Sequence, residues 1–231
     1  MATTDNHRFI RAWLLHRRPY RNTSLILDLL TADGGRVAAV ARSGQRNPLL
    51  QSFRPLSVHL RGQGELRALV AVEPDGSPLA LQGERLYCGL YMNELLERLL
   101  HRDDPHPGLA DAYDTTLTLL AGNEAPADVL LRHFEFGLLD ALGYGFALDR
   151  DLNGLPVVAE QQYRLVPDQG LLMDSRGPYV GRTLGDIAAG RWHDDTRRMA
   201  RDLMREALAP HLGNRPLTSR TLFRHTGRGE N

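Results

Sequence analysis

Residues 73–78 read Glu73-Pro74-Asp75-Gly76-Ser77-Pro78, and the chain changes its hydrophobic period across them. Pro, Gly, Asp and Ser each favour turns over regular structure, so six in a row mark a break between modules. On the N-terminal side apolar residues alternate with polar ones. On the C-terminal side they recur every three to five residues. The break therefore separates strands from helices and sets the fold class as α+β, multi-domain. Residues 1–80 form a β module and residues 81–231 a mostly α-helical domain.

Working back from the break, the strands are Leu66–Val72, Leu56–Leu60, Arg36–Val40, Ser24–Leu30 and Phe9–Leu15. Turn signals separate them at Gly62-Gln63-Gly64, Asp33-Gly34-Gly35 and Arg18-Pro19. Five short strands, with a longer insertion (Arg42–Pro55) between the third and fourth, suggest a small closed barrel. The OB-fold has that strand count, with room for an intervening helix in the insertion.

Working forward, Glu84–Leu100 carries Leu86, Leu90, Leu95 and Leu99 at helical spacing, and Leu109–Leu120 repeats the pattern. Pro126 sits well for a first turn and opens a helix running to Leu142, with Gly143 as its stop. Residues 145–180 break the pattern. Tyr163–Val166 and Leu171–Met173 flank a Pro167-Asp168-Gln169-Gly170 turn and read as a small β-hairpin insertion. Helices follow at Thr183–Ala189 and Asp194–Leu212, the second with acids in its first turn and Gly213 at its end. Arg215–Arg224 is a basic tail.

Formal net charge is 0, but it is unevenly spread. Residues 1–80 hold 11 arginines against 6 acids; residues 81–231 hold 17 against 22. A basic module is joined to an acidic one. All 28 Lys-plus-Arg residues are arginine, which excludes a Walker lysine, a Schiff-base lysine and a kinase-type lysine. The sequence also lacks G-x-G-x-x-G, H-E-x-x-H and G-x-S-x-G, so no enzyme class is indicated and no cofactor is expected. The one cysteine, Cys88, falls on the apolar side of a helix and reads as a core thiol. It cannot make an internal disulfide or a thiolate metal site, so no metal is expected. His101–His106 reads as a polar inter-helix loop. No secretory leader or membrane-length apolar run is found, and a cytoplasmic protein without membrane contact is expected.

Arginine in the barrel connections is the feature that carries function. His16-Arg17-Arg18-Pro19-Tyr20-Arg21 is read as the loop joining strands one and two. Arg42, Arg46, Arg54 and Arg61 lie in or beside later connections. OB barrels bind nucleic-acid strands between such loops, with guanidinium groups on phosphates and aromatic rings under bases. Tyr20 suits a stacking platform. Trp13 and Phe53 suit barrel core at least as well. The candidate DNA-binding residues are Arg17, Arg18, Tyr20, Arg21, Arg36, Arg42, Arg46 and Arg54. The competing reading is a solvated basic face on a protein-interaction scaffold whose barrel binds a protein partner and no DNA.

The residues also resemble a known family, the RecO proteins of the RecFOR recombination-mediator pathway. The resemblance spans about Arg11 to Arg224. Its pieces are Leu15–Tyr20 with Thr23-Ser24-Leu25, Gly35-Arg36-Val37 with Val40-Ala41-Arg42, and Phe53-Arg54-Pro55-Leu56. It continues through Tyr87–Leu96, Arg132-His133-Phe134-Glu135, Leu142-Gly143-Tyr144-Gly145 and Leu212–Arg220. The resemblance implies an N-terminal OB-fold, a helical C-terminal domain and a cytoplasmic, nucleoid-associated role in DNA repair and recombination. It implies binding of single- and double-stranded DNA and annealing without ATP. It further implies a complex with RecR, recognition of the C-terminal tail of single-stranded DNA-binding protein (SSB), and loading of RecA. An acidic tail ending in an apolar residue needs an apolar notch rimmed by arginine, and Arg132, Phe136 and Leu139 share one helix face. Many family members carry a four-cysteine zinc site in the stretch corresponding to Gly145–Arg176. This stretch has no cysteine, so zinc is not expected and the hairpin must hold by packing alone.

Overall fold

A computed structural model describes residues 8–33 and 35–226. Strands β1 (Ile10–Tyr20), β2 (Ser24–Thr31), β3 (Gly35–Ala41), β4 (Pro55–Arg61) and β5 (Arg67–Pro74) close into a barrel in the order β1-β2-β3-β5-β4. β3 and β5 pair in parallel, Ala39 opposite Arg67 and Val40 opposite Ala68; the other pairs are antiparallel. Alternation sends Ala12, Leu14, Leu25, Leu27, Leu29, Ala39, Ala41, Leu56 and Val58 inward to form the core. The α+β class and the five-stranded OB-type barrel expected from the sequence are both present.

Two elements of the barrel differ from the sequence reading. β1 runs on through His16–Tyr20, where a loop was expected. Pro19 reads as a turn signal in the sequence, but beyond Trp13 this strand pairs with β2 alone, and an edge strand tolerates a residue without an N–H. The insertion between β3 and β4 holds a single 3-10 turn (Gly44–Arg46) in place of a helix. Its backbone lies against the barrel end: a Cβ on Gly44 would come within 2.8 Å of the Ala41 Cβ. Leu50 from the same segment is fully buried in the core. The segment is a plug, and a helix would not fit so close.

Helices α1 (Gly83–Leu99) and α2 (Leu109–Gly122) cover the outer face of β1. Trp13 is fully buried, edge-on to Tyr113 at 6.2 Å, and its indole N–H donates to Asp114 at 3.1 Å. Beside it runs a buried polar chain. The Tyr113 hydroxyl donates to Asn93 at 2.5 Å, and the Asn93 amide donates to the Leu15 carbonyl at 3.0 Å. The β2–β3 hairpin meets the α1–α2 connection closely: a Cβ on Gly35 (φ +66°) would lie 2.0 Å from the Asp104 carbonyl oxygen. Only glycine fits that contact and that backbone conformation.

The basic tail contains a helix that the sequence reading missed, α6 (Ser219–Thr226). The Glu94 carboxylate on α1 accepts both backbone N–H groups at its start, Thr218 and Ser219, each at 2.8 Å, and the Ser219 hydroxyl at 2.6 Å. Burial opposes ionisation of Glu94, but these Ser219 and Thr218 hydrogen bonds and the Arg98 charge hold its carboxyl below the usual range. The chain up to Gly122 and the segment from Leu217 onward make one compact unit; Asn123–Pro216 makes the other.

The second unit contains α3 (Ala127–Ala141), α4 (Gly181–Ala188), α5 (Asp194–Leu212) and a sheet ordered β7-β6-β8. β6 (Gln162–Val166) and β7 (Gly170–Met173) are the expected hairpin; the short β8 (Tyr179–Val180) was not foreseen. Arg197 on α5 grips Asp128 on α3 through two hydrogen bonds of 2.7 Å. The cysteine-free segment is held by more than packing. Asp151 accepts the N–H groups of Asn153 and Leu155, each at 2.9 Å. The Val158 N–H donates to the Tyr163 hydroxyl at 2.8 Å. Among the described residues no three metal-ligating side chains converge, and no helix is long and apolar enough to cross a membrane.

Asn93 is the acceptor for Tyr113 and the donor to Leu15, so Asn93→Leu removes both bonds from a buried site. The expected loss is about 1–3 kcal/mol of unfolding free energy, read as a lowered urea midpoint at unchanged slope.

Candidate nucleic-acid interface

The register of β1 sets the interface. Up to the middle of the strand Leu14 lies opposite Leu29, both facing the core. A bulge falls between Leu14 and His16, and the pairing resumes with His16 opposite Asp28 and Arg17 opposite Leu27. A bulge adds one residue and so reverses which side chains face inward. Without it Arg17 would follow Trp13 and Leu15 onto the helix-covered outer face. With it Arg17 and Pro19 take the inner side, beyond the end of the core, and His16, Arg18 and Tyr20 take the outer side. His16 there meets Glu97 of α1 at 3.0 Å, while Arg18 is exposed.

β4 pairs with β1 only over Ile10–Trp13. Beyond Trp13 the β1 arm of the β1–β2 hairpin is therefore an edge ribbon, paired on one side with β2, which itself goes on pairing with β3 as far as Leu25, with its tip at Arg21-Asn22-Thr23. The 3-10 plug lies beside this tip. Gln45 donates its backbone N–H to the Thr23 carbonyl and its side-chain amide to the Ser24 carbonyl, each at 3.3 Å. Arg17 donates to the Leu50 carbonyl at 2.7 Å. Ribbon and plug thus bring Arg17, Arg18, Tyr20, Arg21, Arg42 and Arg46 to one end of the barrel. Arg21 has a left-handed backbone (φ 54°), and its guanidinium lies 5.1 Å from the Tyr20 ring centre, a cation–π distance.

Charge around these groups is one-sided. No Asp or Glu occurs in residues 6–27 or 34–64. Among the described residues, Arg17, Arg18, Arg21, Arg42, Arg46 and Arg54 have no carboxylate partner, and the first five are exposed. Arg54 is half-buried and its Nε makes no hydrogen bond. Arg36 differs: its guanidinium holds the buried Asp28 at 2.7 Å and reaches the Leu100 carbonyl at 3.3 Å. Trp13 and Phe53 are core. Phe53 is 6% exposed with φ 62°, and its ring packs on Gly89 of α1.

The three residues expected to take an acidic tail lie on α3 but not around one opening. Phe136 and Leu139 line a cavity of about 280 Å³ with Gly137, Asp140, Gly145 and Phe146. Arg132 does not line it; it is buried and donates to Glu135 at 3.0 Å. The sequence reading missed Gln45 and the Leu50 carbonyl, the groups that pin the plug to the ribbon. A glutamine and a backbone oxygen in a loop carry no signal of that role.

This architecture defines a class: an OB-barrel protein with an arginine-rich hairpin at one barrel end, followed by helices. Residues 9–77 match the family model described as "Recombination protein O N terminal", and residues 80–221 match "Recombination protein O C terminal". The chain is 46% identical over 218 residues to the DNA repair protein RecO of Stutzerimonas stutzeri, covering 92% of each chain. It is 45% identical over 217 residues to that of Pseudomonas paraeruginosa (91% of this chain, 92% of the relative). Against that of Alkalilimnicola ehrlichii it is 45% identical over 233 residues (94% and 91%). The chain belongs to the RecO family of DNA repair and recombination proteins.

Proposed function

We propose that this protein is a non-catalytic recombination mediator of the cytoplasm and nucleoid. It binds single- and double-stranded DNA through the ribbon and plug and anneals complementary strands without ATP. With RecR it helps RecA onto strands coated with SSB. The observation that carries the reading is the set of unpaired guanidinium groups at one end of the barrel. Arginines already neutralised by carboxylates release no counterions from DNA; unpaired ones do. Annealing makes and breaks no covalent bond. It requires that two polyanions approach, and a cationic surface lowers their repulsion so that bases meet. Tyr20, steadied by Arg21, offers a ring for stacking, a contribution of about 1–3 kcal/mol per base that every base shares. Binding on these terms is sequence-tolerant and salt-sensitive. Arg36, engaged with Asp28, contributes to the field at most from a distance.

Family membership supports a second contact, with the SSB tail. The apolar end of the tail enters the Phe136–Leu139 cavity on α3. Asp140 at that cavity would repel an acidic peptide, and Arg132 serves only by exchanging Glu135 for the tail carboxylate.

Two outcomes are expected. Arg17→Ala/Arg42→Ala/Arg46→Ala weakens binding to all single strands alike and flattens the plot of log affinity against log salt by about 2, at 0.7 per phosphate contact; an unchanged slope removes this end of the barrel from DNA binding. Phe136→Ser lowers affinity for an SSB-tail peptide about tenfold, equivalent to about 1.4 kcal/mol, measured by fluorescence anisotropy; no change removes α3 from the tail site.

A further inference from the structure

Among the described residues, four arginines carry a buried nitrogen that makes no hydrogen bond: Arg54, Arg67, Arg98 and Arg132. Three of them lie against a carboxylate, Asp103 for Arg67, Glu94 for Arg98 and Glu135 for Arg132. Arg54 has no such partner among the described residues, and residues 34–64 contain no Asp or Glu to serve it locally. A cation half removed from water, with neither a counter-charge nor a full set of acceptors, is held at a cost. A residue that breaks a folding rule without a structural return marks a place that function uses. The backbone around Arg54 is fixed on both sides. Phe53 has a left-handed φ of 62°, packs its ring on Gly89 of α1 and accepts the Leu79 N–H at 2.8 Å. Pro55 lies opposite Trp13 and accepts the Asp75 N–H at 3.0 Å. A residue before proline is itself confined to extended backbone. Pro55 with Trp13 is the last pair between β4 and β1. Arg54 therefore stands where the plug segment and the free edge of β1 part, and Arg17 on that edge reaches back to the Leu50 carbonyl of the same segment at 2.7 Å.

From this we infer that Arg54 is a phosphate-binding residue kept at a cost in stability: it takes one phosphodiester of a single nucleic-acid strand at this fork. The inference rests on the DNA-binding reading above and adds one defined contact to it. The arginines at the hairpin tip and on the plug supply a cationic field. Arg54 supplies a fixed point within it, because a guanidinium on a rigid backbone has little left to order when it meets a phosphate. Its planar fork of donors matches phosphate oxygens in pairs. As a strand settles, the side chain turns outward and Nε gains an acceptor that it lacks in the free protein. Binding thereby removes a defect of the folded chain, and the cost of holding Arg54 in the free protein falls away in the complex.

The test compares the full-length protein with Arg54→Met, which keeps an unbranched apolar stem and removes the donors, and with Arg54→Lys, which keeps the charge without the fork. Urea unfolding is measured for each, and so is the anisotropy of a labelled oligothymidine across a salt series. Arg54→Met should show a urea midpoint at or above that of the parent, since no unmet donor is left to bury. At low salt it should bind the oligothymidine about tenfold more weakly. Its plot of log affinity against log salt should flatten by about 0.7, the value for one phosphate contact on a single strand. Arg54→Lys should restore the slope, which reads charge, and part of the affinity. A lowered midpoint for Arg54→Met makes Arg54 a structural residue and overturns the inference. Unchanged affinity does so too, as does a Lys variant with the slope of the Met variant, because the loss then stems from the segment and not from the charge. If Arg54→Met binds as the parent does while Arg17→Ala/Arg42→Ala/Arg46→Ala binds more weakly, the Arg54 contact alone fails. If both bind as the parent does, the DNA assignment of this end of the barrel fails with it.

Discussion

β1 has a partner on each side only as far as Trp13, and this constraint governs the structure. Over Ile10–Trp13 the strand closes the barrel between β2 and β4. Past the Leu14–His16 bulge it has β2 alone, so the same strand ends as the free edge of the β1-β2-β3 sheet. A strand with one neighbour is normally a liability, since its unpaired edge invites further pairing. Here Pro19 and the flanking arginines make that edge a poor template, and the exposed ribbon stays available for something other than a protein strand. The bulge reverses the facing of every residue after it. One extra residue thereby moves Arg17 off the helix-covered face and leaves Arg18 on the other.

The rest of the first unit secures β1 in that position. α1 is tied to the strand at its bulge, through the bond from Asn93 to the Leu15 carbonyl and from Tyr113 to Asn93. Trp13 is wedged under α2 with its N–H on Asp114. Asp28 gathers Arg36 from the neighbouring strand and Arg102 from the α1–α2 connection. These carboxylates satisfy the arginines on the outer, helix-covered side. Among the described residues, those at the ribbon end have no carboxylate partner. In this unit Arg36 and Arg102 are paired where they tie strands to the α1–α2 connection, whereas the arginines of the ribbon end are turned to solvent. α6 returns to α1 and is fastened by Glu94, so the chain leaves the first unit after Gly122 and rejoins it at Leu217.

Much of this was legible in the sequence, because period and turn chemistry report burial directly. The five strands follow from alternation, and the long helices from apolar spacing; Asp194–Leu212 has the bounds its acidic start and Gly213 suggested. What failed to show depends on tertiary context. Pro19 looks like a turn residue until the strand beside it is known to be missing. The Arg42–Pro55 insertion looks long enough for a helix, yet its Leu50 plugs a barrel end. β8 is two residues long and exists only through its pairing with β6. α6 reads as a charged tail because its helix is fastened by a carboxylate more than a hundred residues away. The basic cluster was visible by composition. The separation of Arg36 from the others was not, since Asp28 reaches it only across a strand pair. On α3, spacing alone put Arg132 beside Phe136; burial shows its guanidinium occupied by Glu135.

Amide hydrogen exchange with and without an oligothymidine, at low salt, addresses the ribbon most directly. The account predicts added protection in residues 16–24 and 42–47 on binding, with little change along β4 and β5. Protection confined to other elements, with the β1–β2 tip and the plug exchanging as in the free protein, would contradict it.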